Sequence, residues 1–385
     1  MKHIDRVKAA LDFREADRIP RYDSFWQQTV ELYKKSGLED KLVDNPVLVV
    51  DGLKRTIGNA IEDYFDFDID ILSIDTSLRM PYKVLAEENE FIVIQDHYGY
   101  TVKKFRDKSG SMHFIEHVTK DREAWNNLKE RMIFNEKDTS RLDSVSYFLH
   151  GEPYPTWDGF KKIYDAYRKR EKYILYACYG PWEGTWRHRG FTELMMDSAL
   201  DPEWTYEMLE YHMNLALESL KHAMKIGAKP DGIFLVEDLG GTHTTLISAD
   251  SYRKFIKPQH KKMAVFCHEN GMKLFMHSCG KIESFIPDFI DAGIDVIQAL
   301  QANTGMDVVK LKKEYGNKIA FWGNIAEASL AGTKEDIRKE IEYKIGNAKK
   351  GGGYIYHSDH SIPDEVSFEN YEYLMKMVEE YGSYS

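Results

Sequence analysis

Two residues in the stretch "GMKLFMHSCG" could do chemistry together: His277 and Cys279, one residue apart at the end of an apolar run. The chain has 3 cysteines in 385 residues, so a thiol beside an imidazole is not a by-product of cysteine abundance. On a β-strand, residues i and i+2 point to the same face. An imidazole and a thiolate on one face suit zinc, which in catalytic sites keeps three protein ligands and an open position. The third ligand must come from another strand end, and His360 and Glu237 are the first candidates. The competing reading makes His277 a hydrogen-bonded pocket histidine and Cys279 a small filler.

Other polar residues stand at the ends of apolar runs. "DGIFLVEDLG" ends in Glu237 and Asp238, with His243 soon after. This pair could ligate metal, act as a base or anchor a ligand, or could cap the following helix. "KIAFWGNI" ends in Trp322 and Asn324, and "GGYIYHSDHS" ends in His357, Asp359 and His360. "KYILYACYGPW" ends in Cys178, Tyr179 and Trp182. Tyr179, Trp182, His243, Trp322, Asn324 and His357 are the expected substrate-binding residues. Arg187, His188 and Arg189 form a basic cluster that reads as a solvated face, with a carboxylate site as the alternative.

The elements that must position these residues follow a rhythm. Apolar runs near 18–25, 68–75, 172–180, 231–240, 272–280, 294–300, 318–325 and 352–359 read as strands. They are mostly separated by helical patterns such as "PEWTYEMLEYHMNLALESLKHAMKIG", which stops at Gly227. Strand then helix, repeated about eight times, predicts an α/β fold, a (β/α)8 TIM barrel. A doubly wound sheet is the rival, but no G-x-G-x-x-G turn is present. The region from about 76 to 160 breaks the rhythm. "FIVIQDHYGYTVKKFRDKSGSMHFIEHV" reads as alternating strands with a turn at Asp107–Gly110, a β-rich insertion on a single domain spanning 1–385.

Hydrophobic residues make up 43% and charged residues 30%, a globular composition. The formal net charge of −11 argues against a general nucleic-acid binder. No apolar run reaches membrane-spanning length, and the amphipathic N-terminus lacks a signal-peptide core. A cytoplasmic location is expected. Aromatics at 13% fit core filling, and also a pocket that stacks a flat ligand.

Several stretches resemble, in order, the uroporphyrinogen decarboxylase superfamily. They are "RVKAALDFREADRIPRYDSFW", "GPWEGTWRHRGFTELMMDSALDPEWTYEML", "ADSYRKFIKPQHKKMAVFCHENGMKLFMHSCGKI", "WGNIAEASLAGTKEDIRKEI" and "GGGYIYHSDHSIPDEVSFENYEYLMKMVEEYG". The resemblance covers nearly the whole chain and implies a (β/α)8 barrel with its cleft at the strand C-termini. One branch decarboxylates a tetrapyrrole and carries an arginine-rich segment after the first strand. Here "RYDSFWQQTVELYKK" has no arginine after Arg21, so porphyrinogen decarboxylation is not expected. The other branch comprises zinc-dependent, corrinoid-linked methyltransferases with His-x-Cys at one strand end and a further cysteine at the last. His277 and Cys279 match the first part. "HSDHSIP" has no cysteine, and His360 falls about where that ligand would be.

The resemblance implies methyl transfer between a small substrate and a corrinoid protein, with zinc as Lewis acid. A methoxylated aromatic is the favoured methyl donor, and zinc would sit at His277, Cys279 and His360 with Glu237 as fourth ligand. No D-x-H-x-x-G cobalamin anchor is present, so the corrinoid would arrive on a partner. A homodimer is common in the resembling family. The alternative is a metal-free decarboxylase or lyase acting on a smaller substrate, with His360, Asp359 and Glu237 moving protons and Arg187 or Arg189 holding a carboxylate. A third, a corrinoid-binding scaffold without catalysis, fits poorly with so many polar strand ends.

Overall fold

Alternating burial along the apolar runs sets the architecture. The computed structural model describes residues 1–108, 110–145 and 153–384. Its strands are β1 (Val47–Val50), β2 (Leu53–Thr56), β3 (Ile69–Ile74), β4 (Lys83–Glu88), β5 (Phe91–Gln95), β6 (Tyr100–Phe105) and β7 (His113–His117). They continue with β8 (Leu142–Asp143), β9 (Tyr173–Tyr179), β10 (Gly232–Val236), β11 (Lys273–Ser278), β12 (Val296–Ala299), β13 (Ala320–Gly323) and β14 (Tyr354–Ile355). The main sheet runs β14-β13-β12-β11-β10-β9-β3-β8. Its neighbours pair in parallel, except that β8 runs antiparallel to β3. Most steps between parallel strands are bridged by helices, among them Pro202–Lys225, Lys257–Glu269 and Lys334–Ala348.

Residues of opposite parity face different cores. Tyr173, Leu175 and Ala177 of β9 pack with Phe234, Phe275, Val296, Ala320, Trp322 and Ile355 on the inner face. Ile174, Tyr176 and Cys178 pack outward with Leu235, Met276, Ile297 and Phe321, under the helices. Strands buried on both faces read as continuous apolar runs, which is why they were visible in the sequence. The N-terminal helix His3–Leu11 sends Val7 and Leu11 into the inner cluster beside Ile69 and Tyr173, at the strands' N-terminal end.

The strand expected at 18–25 is not a regular strand, a correction with a clear cause. Arg21 and Phe25 make isolated parallel bridges to Tyr356 and Ile362, and Arg18 makes an antiparallel one to Ser383. Pro20 has no N–H to give a ladder. The segment still joins the two ends of the parallel run, β14 and β3: Tyr22 N–H donates to Tyr356 O (3.2 Å), and Asp68 N–H donates to Arg21 O (2.9 Å).

The break in rhythm is an antiparallel sheet, β4-β5-β6-β7. The turn expected at Asp107–Gly110 contains residue 109, which lies outside the described residues, and the strands on either side pair antiparallel. Tyr98, Tyr100, Ile94 and Val102 of this region cluster with Tyr179 at the C-terminal end of β9. The inserted sheet therefore sits over the strand C-termini. Among the described residues no helix is long and apolar enough to cross a membrane.

A candidate metal centre at the strand C-termini

The registers place Tyr179, Val236, His277, Gln298 and Trp322 at one level of neighbouring strands. His277 and Cys279 share the parity of Phe275, which points them inward. The residues of "HSCG" divide their work. Ser278 points the other way and accepts a hydrogen bond from Leu239 N–H at 3.0 Å. Gly280 has φ +80°, and a Cβ there would lie 2.3 Å from the Gly240 backbone, so glycine lets the two strand-end loops touch.

Asp238, not Glu237, completes the cluster. Single ligand atoms from Asp238, His277 and Cys279 all lie within 4.8 Å of one another. Cys279 Sγ is 3.2 Å from His277 Nε2, and Asp238 Oδ1 is 3.4 Å from the same nitrogen. Asp238 Oδ1 also accepts the Cys279 N–H at 2.8 Å. The His277 side chain is 19% exposed and that of Asp238 39%, so the donors are reachable. Glu237 continues the ladder through its N–H to His277 O (2.9 Å), and its side chain turns outward with the parity of Leu235. There it accepts Trp182 N–H at 3.0 Å and Glu183 N–H at 3.1 Å, capping the helix Pro181–Arg189.

The ring of His277 is aimed by its neighbours. Its Nδ1 is hydrogen bonded to Gln298 Oε1. A carbonyl oxygen only accepts, so Nδ1 carries a proton, and Nε2 is the nitrogen that faces Sγ and Oδ1 and can ligate a metal once its own proton leaves. Gln298 Nε2 reaches His357 Nε2 at 3.2 Å, and His357 Nδ1 lies 2.5 Å from Ser358 O and 3.6 Å from Asp23. A ligating histidine whose other nitrogen is held in this way is the usual arrangement at zinc. The donor set of sulfur, nitrogen and carboxylate oxygen fits zinc with a position left open.

The charges agree with this arrangement. Burial pushes the Cys279 thiol up, but the adjoining His277 and His360 rings outweigh it, and the net shift is downward. Burial opposes protonation of His277, yet Cys279 and Asp238 hold it well above the usual imidazole range. Contact with Cys279 raises His360 as well. The negative charges on Cys279 and Asp238 are thus balanced by protons on His277 and His360, and a bound cation would take the place of those protons.

The remaining expected residues divide. His360 lies against Cys279 but outside the three-residue cluster; its ring stacks on Trp26 with centroids 5.3 Å apart. Trp322 is fully buried on the inner face, where Tyr22, Phe234, Phe275 and His357 surround it as a floor below the donors. Tyr179 is on the inner face under Arg187. Three expectations are corrected. Asn324 faces no ligand: its amide bonds Leu300 O and Met306 O and accepts Val308 N–H. Positive φ at Gly323 and Asn324 ends the alternation there. Asp359 accepts Ala302 N–H (2.9 Å) and Glu327 N–H (3.0 Å), tying loops together. Trp182 is 1% exposed in the outer core. His243 is exposed on the loop after β10.

The reading of Arg187–Arg189 as a solvated face is also overturned. Arg187 is 7% and His188 1% exposed, and Arg189 pairs with Asp197 at 2.7 Å. The sequence signal missed here was position: the cluster sits on the helix that starts directly after β9.

The donors gather at the C-terminal ends of a parallel α/β sheet, the position where folds of this class carry their binding sites. A family model described as uroporphyrinogen decarboxylase (URO-D) matches residues 127–381, and the chain belongs to that family. A uroporphyrinogen decarboxylase from Vesicomyosocius okutanii is 24% identical over 260 residues, 63% of this chain and 69% of that protein. One from Carboxydothermus hydrogenoformans is 27% identical over 184 residues, 48% of this chain and 50% of that protein. Among solved structures, a methyltransferase from Methanosarcina mazei has a similar fold, with a TM-score of 0.64 and 16% identity over 99% of both chains.

Proposed function

We propose that this protein is a zinc-dependent methyltransferase that passes a methyl group between a small substrate and a corrinoid carried by a partner protein. The observation that carries the reading is the inward cluster of Asp238, His277 and Cys279, with His277 Nδ1 held by Gln298. Zinc, when bound, supplies a Lewis acid that takes up charge on a basic leaving or accepting group. The chain's own residues do the rest. Gln298 fixes the His277 tautomer, and Asp238 receives the Cys279 N–H, which holds the thiolate-bearing turn in place. His360, on the sulfur's flank and stacked on Trp26, is placed to hold a proton near the reacting group. A methoxylated aromatic remains the favoured methyl donor.

Charge placement argues against a tetrapyrrole with many carboxylates. Arg18 and Arg21 are bound to Asp66, Asp68 and Glu379 at the strands' N-terminal end, opposite the donors. A second reading, metal-free decarboxylation of a smaller acid, draws support from the buried cation Arg187 near Asp238. Replacing Cys279 with serine separates the two. Under the first reading, purified protein contains zinc, Cys279→Ser loses it, and methylation of a reduced corrinoid protein, followed by its absorption spectrum, stops. Zinc-free protein with full activity, and an unaffected Cys279→Ser variant, overturn the zinc reading.

A further inference from the structure

The helix Pro181–Arg189 carries a buried cation that the metal centre does not use. Arg187 Nη2 donates to Glu183 Oε1 at 2.7 Å. Its Nε and Nη1 are buried and have no hydrogen-bond partner among the described residues. The guanidinium carbon lies over the Tyr179 ring, 4.0 Å from its centroid, with Trp186 at 4.8 Å and Tyr100 at 5.8 Å. Stacking satisfies the faces of a guanidinium and leaves its N–H edges unmet. Leaving buried charged donors unmade is costly, and such groups in a native fold call for an explanation.

Two neighbours say what would meet those edges. Glu183 does not offset the cation fully: its carboxyl is buried, pushed up to about 7, and shared with the Trp186 indole N–H at 2.9 Å. Arg187 lies over Tyr179, an inward residue that the strand registers put level with His277, so the cation is on the same side of the sheet as the metal donors. The walls are aromatic: Tyr179 from β9, Trp186 from the same helix, and Tyr98 and Tyr100 from the inserted sheet. A flat ring ending in an anion matches this lining, since arginine pairs with carboxylates through directed N–H bonds.

We propose that Arg187 is the binding residue for the carboxylate of a small aromatic acid, whose other end faces Asp238, His277 and Cys279. The methoxyl on that other end rests on the methyl-transfer reading; the carboxylate anchor does not. The inserted sheet then acts as a specificity element, since it brings Tyr98 and Tyr100 to the cation.

Binding of 4-methoxybenzoate and of its neutral isostere 4-methoxybenzamide, measured by calorimetry, tests the assignment. The full-length protein is expected to bind the benzoate about tenfold or more tightly than the amide, the range for a charge-assisted pair. Arg187→Met is expected to abolish that preference, and Arg187→Lys, which keeps charge but not the planar fork, to leave a smaller one. Cys279→Ser is expected to keep the preference, so a failed zinc reading leaves this result untouched. Circular dichroism checks each variant, and if Arg187→Met does not fold, the ratio in the unaltered protein and in Arg187→Lys decides. Equal affinities in the unaltered protein, binding of neither probe, or a preference that survives Arg187→Met overturns the proposal.

Discussion

Glu237 and Asp238 are adjacent carboxylates with opposite jobs, and strand alternation assigns them. Phe234, Val236 and Asp238 share one parity; Leu235 and Glu237 share the other. The same i, i+2 rule that paired His277 with Cys279 in the sequence therefore also selects Asp238, so this part of the site was legible. Gln298 was not, because it meets His277 only through the register of β11 with β12. Two outcomes follow at this scale. Gln298→Ala is expected to weaken zinc binding about 10–100-fold, the usual effect of removing a ligand's outer partner, as read by competition with a chromogenic chelator. Asp238→Asn is expected to weaken it too, whereas Glu237→Gln leaves zinc affinity in place. Glu237→Gln instead lowers stability by roughly 1–3 kcal/mol in urea melts, because the charge on two helix N–H groups is lost. Loss of zinc on Glu237→Gln with no change in stability would reverse the two assignments.

Elements were legible where a strand is buried on both faces and obscure where tertiary bonds replace a ladder. The runs that became β3 and β9 to β14 are continuous and apolar, and each was visible. The segment 18–25 looked similar but contains Pro20 and is held by scattered bridges and ion pairs. The end of β3 shows how such bonds govern pH response. Burial pushes Asp75 up, but Arg141 and Arg79 outweigh it and hold the carboxyl down to about 2, against 3.8 in an unfolded chain. Its native pKa is depressed, so its contribution is present above about 4 and is lost as pH falls toward 2. That loss amounts to roughly 2 kcal/mol by linkage. Urea melts between pH 5 and pH 2.5 are expected to show a shallower decline in Asp75→Asn than in the unaltered protein. Equal slopes would remove Asp75 from the acid response.

At the scale of the whole molecule, one carboxylate ties the chain's start to the sheet. Asp68, fully buried just before β3, accepts Arg6 Nη1 at 2.6 Å, Arg18 Nη1 at 2.7 Å and the Arg21 N–H at 2.8 Å, with His3 Nδ1 at 2.8 Å. The same segment reaches Tyr356 beyond β14, so Asp68 anchors the connection between β3 and β14, the two ends of the parallel run. No local sequence pattern announces partners 47 to 65 residues apart, which is why this joint was invisible before the fold was known. A buried pair adds little net stability when made, but breaking one leaves uncompensated charge inside the protein. Arg6 and Arg18 are both buried, and although each keeps a more exposed carboxylate, Asp17 and Asp66, Asp68→Asn takes from both at once the one anion that is fully buried with them. The expected cost is about 3–5 kcal/mol, a large share of the roughly 5–15 kcal/mol that typically holds a protein folded. Because the joint lies at the end opposite His277, zinc content of the folded variant should stay unchanged while the urea midpoint falls. A drop below about 1 kcal/mol would show that the segment is held by its backbone bonds and apolar contacts instead, and that Asp68 is not the anchor.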